Sequence, residues 1–345
     1  MLRANESATR GLGLTTPNPI VGALILDAQN NEIAKGFHAG GEHAEVIAIK
    51  IAQLSGHTDF SQSTLVVTLE PCNHHGKTGP CSNAIIEAKF KRVVFAVSDP
   101  NPIAEGGAKK LRSAGIEVIE GIENETVAFT NRAWLKKITT GKPWILSKIA
   151  ATVDGKIAAA DGTSKWITSE ESRRDVALLR NEADAIVTTT ATVLADNPDL
   201  TPRFGEQIKP SGRKENPIRI VMGERSIPAH FNVNNAKAET RYIKSHNFNQ
   251  LIALAQDSGW NQLLIEAGSS FNSALIRAGL IDEIVLYQAP SLLGTGTSFV
   301  SGLGVNSLEN RISFTYREVM RTGVDLKIQL LASSSRKLTS LTEGR

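Results

Sequence analysis

Apolar and polar residues follow two periods along this chain, and each change of period marks a change of element. Ile20 to Leu26 and Glu32 to Phe37 read as strands around the turn Asp27-Ala28-Gln29-Asn30-Asn31. Ile47, Ile51 and Leu54 recur at helical spacing, which predicts a helix over 43–54. Further helices are predicted over 3–11, 81–89, 106–114 and 123–138, and further strands over 64–69, 92–97 and 116–119. Such alternation buries a sheet between helices, so the first half is expected to be a layered α/β domain. Thr139-Thr140-Gly141-Lys142-Pro143 stops a helix and restarts the chain, placing a boundary between a domain over 1–140 and a second over 141–332.

The second half repeats the alternation, with strands over 144–151, 184–189, 218–222, 240–244, 262–266 and 283–288 and helices over 170–181, 248–258 and 270–279. It closes on two strands, 312–320 and 324–331, with no helix between them. A sheet with an antiparallel edge suits that ending better than a plain doubly wound sheet. Residues 205–216 are polar and predict a surface loop, and 333–345 predict a disordered tail.

Composition narrows the classes of function. At 345 residues the chain can form two domains with sizeable cores. A net charge of +3 is too small to imply a nucleic-acid partner. No apolar run approaches membrane-spanning length and Met1 to Ser7 lacks the apolar stretch of a signal peptide, so a cytoplasmic protein is expected. Cys72 and Cys81 are the only cysteines, which leaves nothing for a disulfide framework and agrees with a reducing compartment.

Both cysteines fall in a chemical motif. His43-Ala44-Glu45 opens the helix predicted over 43–54, and Pro71-Cys72 follows the strand over 64–69. Cys81 then precedes the helical run Ala84-Ile85-Ile86-Glu87-Ala88. A zinc-dependent deaminase needs three protein ligands, an open position for water, and a carboxylate beside that water to move protons. His43, Cys72 and Cys81 supply the ligands and Glu45 the carboxylate. The alternative is a purely structural zinc site, in which His74 or His75 would fill the fourth position. Asp99-Pro100-Asn101-Pro102 sits just past a strand, where ligand sites form in open sheets, although Pro and Asn also build plain turns.

The second half has no G-x-G-x-x-G after a strand, which disfavours a standard dinucleotide fingerprint. Glu266-Ala267-Gly268-Ser269-Ser270 and Thr188-Thr189-Thr190-Ala191-Thr192 instead join strands to helix starts, where free backbone N–H groups hold phosphates. With Lys148, Asp154, Arg180, Asp196 and Arg203 they point to an anionic ligand without naming it.

At this point the motifs match a family. His43-Ala44-Glu45 with Pro71-Cys72-x8-Cys81, preceded by Thr16-Pro17-Asn18-Pro19-x-Val21-Gly22, closely resembles the bifunctional deaminase and reductase family of riboflavin biosynthesis. The second half adds Ala151-Thr152-Val153-Asp154-Gly155-Lys156-Ile157-Ala158, Ser164-Lys165-Trp166-Ile167-Thr168, Thr192 to Arg203 and Ala289-Pro290-x-Leu292-Leu293-Gly294. The resemblance implies a cytidine-deaminase-like three-layer domain followed by a dihydrofolate-reductase-like domain that uses NADPH. It gives one zinc to His43, Cys72 and Cys81, and proton transfer to Glu45. Asn18, His74, Lys77, Asp99 and Asn101 are implied to hold the pyrimidine, sugar and phosphate. In the reductase, Lys148, Ser164, Arg180, Leu200, Arg203 and Glu266 are expected at the substrate. Ala150, Trp166, Thr192, Asp196 and the run Gly268, Ser269, Ser270, Phe271, Asn272, Ser273 and Ala274 resemble NADPH positions. Expected partners are phosphorylated pyrimidines and a second copy of the chain joined through the reductase domain, with no nucleic acid and no membrane.

The chain departs from the family pattern in places. Its first helix starts later than usual, as expected if the chain is trimmed or its start codon misplaced. Gly79 stands where proline is common, Met222-Gly223 replaces a frequent acidic position, and Thr189 and Ala191 replace glycines before Thr192. A nucleic-acid or nucleoside deaminase is the alternative enzyme, but nucleic-acid deaminases carry P-C-x-x-C. The longer loop between Cys72 and Cys81, with Lys77 in it, suits a small phosphorylated molecule better.

Overall fold

A computed structural model describes residues 1–74, 79–202 and 215–335, which form two compact units, 1–141 and 142–335. The first unit runs α1 (Leu2–Thr9), β1 (Gly22–Leu26), β2 (Glu32–Phe37), α2 (Ala44–Leu54), β3 (Thr64–Leu69), α3 (Cys81–Glu87), β4 (Arg92–Val97), α4 (Gly107–Ser113), β5 (Glu117–Ile119), α5 (Asn124–Thr130) and α6 (Arg132–Thr140). Its sheet has the order β2-β1-β3-β4-β5. The β1 pairings are antiparallel and β3-β4-β5 is parallel.

Side chains that alternate along these strands feed two cores. Ala23, Ile25, Leu65, Val67, Val93 and Phe95 face α2, α3 and α4, whereas Leu24 and Val66 face α1 and Ala96 packs with residues of α5 and α6. The result is helices on both faces of one sheet, the three layers expected. Gly36 lets α2 lie close on β2, since a Cβ there would stand 2.4 Å from Ala44 O and 2.8 Å from Ala48 N. His43 is the extended N-cap of α2, at φ −73° and ψ 153°, so the helix begins one residue later than expected. The single helix expected over 123–138 is two helices, broken at Asn131 (φ −94°, ψ 12°). Asn131 bonds sideways to the backbone of Ile20, a partner that helical periodicity does not contain.

The second unit runs β6 (Trp144–Thr152), β7 (Lys156–Ala158), α7 (Glu170–Glu182), β8 (Ala185–Thr189), α8 (Thr190–Asp196), β9 (Ile218–Met222), β10 (Thr240–Ile243), α9 (Phe248–Asp257), β11 (Gln262–Ile265), α10 (Ser269–Arg277), β12 (Glu283–Ala289), β13 (Thr297–Ser298), β14 (Phe314–Thr322) and β15 (Asp325–Ala332). Eight strands form one sheet in the order β10-β9-β8-β11-β6-β12-β15-β14. It is parallel from β10 to β12, and β15 and β14 add the antiparallel edge. Strands β7 and β13 pair separately and are too short to show in the residue pattern, whereas α8 is the helix whose start the Thr188–Thr192 run marked. Of the tail expected to be disordered, 333–335 form a helical turn held by Ser335 Oγ donating to Asp282 Oδ1 at 2.7 Å, and 336–345 lie outside the described residues. Most of the loop expected over 205–216 lies outside them too.

Buried charges tie the second unit's helices and loops to its sheet. Arg219 on β9 is fully buried and donates to Val233 O, Asn235 O and Asp199 Oδ1 at 2.9, 3.2 and 3.1 Å, which fixes the chain after β9. Arg180 on α7 meets Glu266, the residue after β11, through two bonds of 2.5 and 2.9 Å. Burial alone would raise the Glu266 carboxyl, but the Arg180 and Lys148 charges hold it at about 2. A carboxyl held below its ordinary 4.5 stabilises the fold above that pH, and the contribution is lost as pH falls toward 2. The stability gap between the parent and Glu266→Gln is therefore expected to be full above pH 4.5 and to close on acidification. Thermal midpoints across that window check it, and a constant gap would show that the pair does not hold its charge.

Candidate active sites

The first site is assembled by three elements. The first turn of α2 presents His43 and Glu45, the chain leaving β3 presents Cys72, and α3 begins at Cys81. His43 Nδ1 lies 3.1 Å from Cys81 Sγ and 3.6 Å from Cys72 Sγ, and the three ligand atoms lie within 4.8 Å of one another. Donor atoms on a tetrahedral zinc stand about 3.5–3.8 Å apart. These residues are thus gathered at the spacing that zinc requires, and they fit it. The Cys81 N–H donates to Cys72 Sγ at 3.4 Å. The Cys72 thiol is drawn down to about 4, first by the Cys81 side chain and, against burial, by His43. The same Cys72–Cys81 bond, together with burial, pushes Cys81 up. The pair therefore shares one proton, which a cation would displace.

Among the described residues the cluster has three members, and His74 is not one of them. His75 lies outside the described residues. Three protein donors are the set of a catalytic zinc rather than of a closed structural one. Glu45 is buried, 3% exposed, and its side chain reaches Cys81. Burial raises its carboxyl above the ordinary range.

A cavity of about 500 Å³ opens over the cluster. Asn18, His74, Asp99 and Asn101 line it with His43, Glu45 and Cys72, and Lys77 lies outside the described residues. His74 Nδ1 is buried without a hydrogen-bond partner among the described residues. Burial lifts the Asp99 carboxyl to about 6, against the Asn101 N–H that donates to it at 2.9 Å and with help from the Glu70 and Cys72 charges.

Sequence reasoning missed part of this lining. Glu70 accepts from Ala108 N at 2.9 Å and Asp99 N at 3.3 Å, which locks α4 and Asp99 to the end of β3. Its place directly before Pro71-Cys72 was an available signal. The His38 Nδ1–H donates to Glu42 O at 3.0 Å, and its ring stands edge-on to His43 with centroids 5.6 Å apart. Trp134 and Ile138 on α6 close another wall, and no motif announces them.

In the second unit Lys148, Arg180 and Glu266 converge. Lys148 Nζ lies 3.7 Å from Glu266 Oε2, so two cations flank one carboxylate. Arg180 Nη1 also donates to Thr201 O at 3.1 Å, next to Leu200, which is buried with φ +53°. Ser164 Oγ donates to Asp196 Oδ1 at 3.1 Å. Trp166 is 65% exposed, with the Arg173 guanidinium 4.7 Å from its ring, a contact not expected from the sequence. Arg203 lies outside the described residues.

The residues expected at NADPH divide into two groups. Gly268 is the N-cap of α10, and a Cβ there would meet only Thr192 Oγ1, at 4.0 Å. Packing leaves that space free, as a cradle for a phosphate requires, and Ser270 beside it is exposed. By contrast Phe271 stacks edge-on with Phe248 in the core, and Asn272 Oδ1 accepts from Ser147 Oγ at 2.9 Å. Ser273 Oγ accepts from Ser301 N at 2.9 Å, and Ser269 Oγ meets Ser301 Oγ at 3.1 Å. The side chains of Phe271, Asn272 and Ser273 are committed inside the fold, which leaves their backbone for a ligand. Ala150 on β6 and Ala274 are half-buried. The open Gly268–Thr192 face fits the cofactor.

Comparison with known proteins agrees with this geometry. The family model described as "Cytidine and deoxycytidylate deaminase zinc-binding region" matches residues 1–97, and "RibD C-terminal domain" matches 143–328. The chain is 42% identical to the riboflavin biosynthesis protein RibD of Mycobacterium tuberculosis over 95% of each chain. It is 36% identical to RibD of Escherichia coli, covering 96% of this chain and 98% of that one. Among solved structures it resembles a Thermotoga maritima diaminohydroxyphosphoribosylaminopyrimidine deaminase/5-amino-6-(5-phosphoribosylamino)uracil reductase, with a TM-score of 0.86 and 32% identity over 96% of this chain and 97% of that one. Acinetobacter baumannii RibD gives a TM-score of 0.84 at 33% identity with the same coverage. With both halves matched in order, the chain belongs to the RibD family of riboflavin biosynthesis proteins.

Proposed function

We infer that this chain is a bifunctional enzyme of riboflavin biosynthesis. Its first unit hydrolyses the amino group from 2,5-diamino-6-(5-phosphoribosylamino)pyrimidin-4(3H)-one. Its second unit reduces the ribosyl chain of the deaminated product with NADPH to give 5-amino-6-(5-phosphoribitylamino)uracil. The observation that carries the reading is the gathering of His43, Cys72 and Cys81 with buried Glu45 beside a cavity, in a chain of this family.

His43, Cys72 and Cys81 would hold the zinc, which supplies the Lewis acidity that makes water nucleophilic at neutral pH. Glu45 moves the protons: it takes one from the attacking water and delivers one to the nitrogen, which leaves as ammonia while the ring carbon keeps the oxygen. Asn18, His74, Asp99 and Asn101 orient the pyrimidine over that carboxylate, and Lys77 meets the substrate phosphate. In the second unit Lys148, Ser164, Arg180, Leu200, Arg203 and Glu266 hold the phosphorylated substrate. The two cations of the Lys148–Arg180–Glu266 group support this. NADPH, which supplies the reducing equivalent, would lie along Ala150, Trp166, Thr192, Asp196 and the 268–274 run.

The second copy expected through the reductase unit has a candidate surface. β14 ends the large sheet among the described residues, and the middle of the strand is exposed, including Tyr316, Val319 and Met320 at 70, 53 and 42%. An exposed sheet edge with apolar residues is a ready strand-pairing surface, and a second β14 would cover it. No helix among the described residues is long and apolar enough to cross a membrane. The free thiols of Cys72 and Cys81 suit a cytoplasmic setting.

Glu45→Gln is expected to keep zinc and lose about 10²–10⁴ in deamination rate, whereas Cys72→Ser loses the metal as well. Metal analysis and ammonia release check this, and parental deamination by Glu45→Gln would show that another group carries the proton. Reduction of already deaminated substrate by Glu45→Gln is expected at the parental rate, read from NADPH oxidation. Gly268→Val has room to fold, and it is expected to weaken NADPH binding by filling the space for a phosphate. Normal NADPH affinity in that variant would move the cofactor elsewhere. Light scattering should find a dimer that a Tyr316→Glu, Val319→Glu double variant converts to monomer, and a monomeric parent would remove the pairing.

A further inference from the structure

The deaminase cavity has two kinds of wall. One includes His43, Cys72, Glu45 and Glu70, all inside the matched zinc-binding region that ends at residue 97. The other joins Pro17-Asn18-Pro19, within that region, to Trp134 and Ile138 of α6, which like Asp99 and Asn101 lie beyond it. A zinc region shared with cytidine and deoxycytidylate deaminases provides the chemistry but cannot by itself distinguish a larger pyrimidine. Discrimination must draw on what is added, and one residue joins the added helix to the loop.

We propose that Asn131 is a positioning residue for deaminase substrate binding, clamping the loop that carries Asn18 to α6. The proposal rests on the deaminase reading of this cavity. Asn131 is 4% exposed and stands in the break between α5 and α6. Its Nδ2 donates to Ile20 O at 2.7 Å, and its Oδ1 accepts from Ile20 N at 3.0 Å. The side chain thus satisfies both backbone groups of one residue, as a neighbouring strand would. A primary amide carries a donor and an acceptor on one planar group, which neither an aliphatic side chain nor an ionised carboxylate offers.

Within the loop, Asn18 N donates to Thr15 O at 2.7 Å, and Thr15 Oγ1 donates to Asn18 O at 3.1 Å. They set the loop's shape, whereas the Asn131 bonds reach across the chain and set its place. Ile20 is 6% exposed, so without Asn131 its N–H and C=O would be left unpaired away from water, and the loop would shift to reach solvent. The break at Asn131 also starts α6 afresh, and its residues Trp134 and Ile138, one helical turn apart, face the cavity together. The Asn131 side chain therefore ties the loop of Asn18 to the start of the helix that carries that apolar wall.

The test uses the full zinc-loaded chain and the phosphoribosylamino-pyrimidine, following ammonia release. Asn131→Leu, close in shape, removes both bonds, and Asn131→Asp keeps the acceptor and loses the donor. Expected is a KM raised about tenfold in Asn131→Leu, for two hydrogen bonds of ordinary worth, with a smaller rise in Asn131→Asp. The kcat should stay within about twofold and zinc at one per chain, which a general loss of structure would not allow. If Asn131→Leu fails to fold, Asn131→Asp decides by the same comparison. A parental KM in a folded, zinc-replete variant overturns the proposal and leaves the deaminase reading standing. A fall in kcat and zinc together with the KM change overturns it in favour of a structural role. A parent chain that releases no ammonia overturns both.

Discussion

Two thiols and an imidazole are packed within 4.8 Å of one another, so each influences how readily the others give up a proton. Without a cation the solution is a shared proton, which is why Cys72 is drawn down while Cys81 is pushed up. With one, two thiolates and a neutral imidazole become a ligand set whose charge balances the metal. Much of the first unit serves to hold that crowding in place. Gly36 brings α2 against β2, and Gly107 approaches the zinc loop so closely that a Cβ would stand 1.7 Å from Pro71 O. Glu70 then bonds the start of α4 and Asp99 to the chain just before Cys72. Ligands, carboxylate and cavity floor are positioned by the same few backbone approaches.

The second unit solves a different problem, since a negatively charged substrate and cofactor need cations held ready without a metal. Its answer is a parallel sheet whose strand ends carry charges already matched inside the protein. Arg219 is held by loop carbonyls and Asp199, and Arg180 by Glu266 and Thr201. The first of these is locked inside the fold and shapes the chain after β9. The second sits among the residues expected at the substrate and has Lys148 as a further cation.

What the sequence disclosed depended on how local the constraint was. His43, Glu45, Cys72 and Cys81 were legible because a metal fixes ligand types and their places relative to strand and helix ends. Strands β1, β3 and β4 were legible because each alternates between the cores on the two faces of the sheet. The α5–α6 break was not, because its cause is the backbone of Ile20, far from Asn131 in sequence, and Trp134 reads as an ordinary core residue of one continuous helix. Asn18, Asp99 and the reductase residues carried no sign of their roles beyond polarity and position, and only resemblance to a family marked them. Phe271, Asn272 and Ser273 show the limit of that resemblance. A run of positions near a cofactor includes residues whose side chains serve the core while only their backbone can face a ligand.

A carboxylate between two cations looks like poor design for an anion site, since Glu266 would repel a phosphate. The energetics argue the other way. A guanidinium taken from water without a partner is costly, and it would swing toward solvent instead of waiting in the site. Glu266 grips Arg180 through both Nε and Nη2, which fixes the plane of the fork, while Thr201 O fixes Nη1. The ordering cost of that side chain is met on folding rather than on binding. Lys148, whose charge burial disfavours and Glu266 supports, is a second cation on the same carboxylate. The carboxylate is thus what holds two largely buried cations at one strand end, oriented on folding rather than left to swing toward solvent.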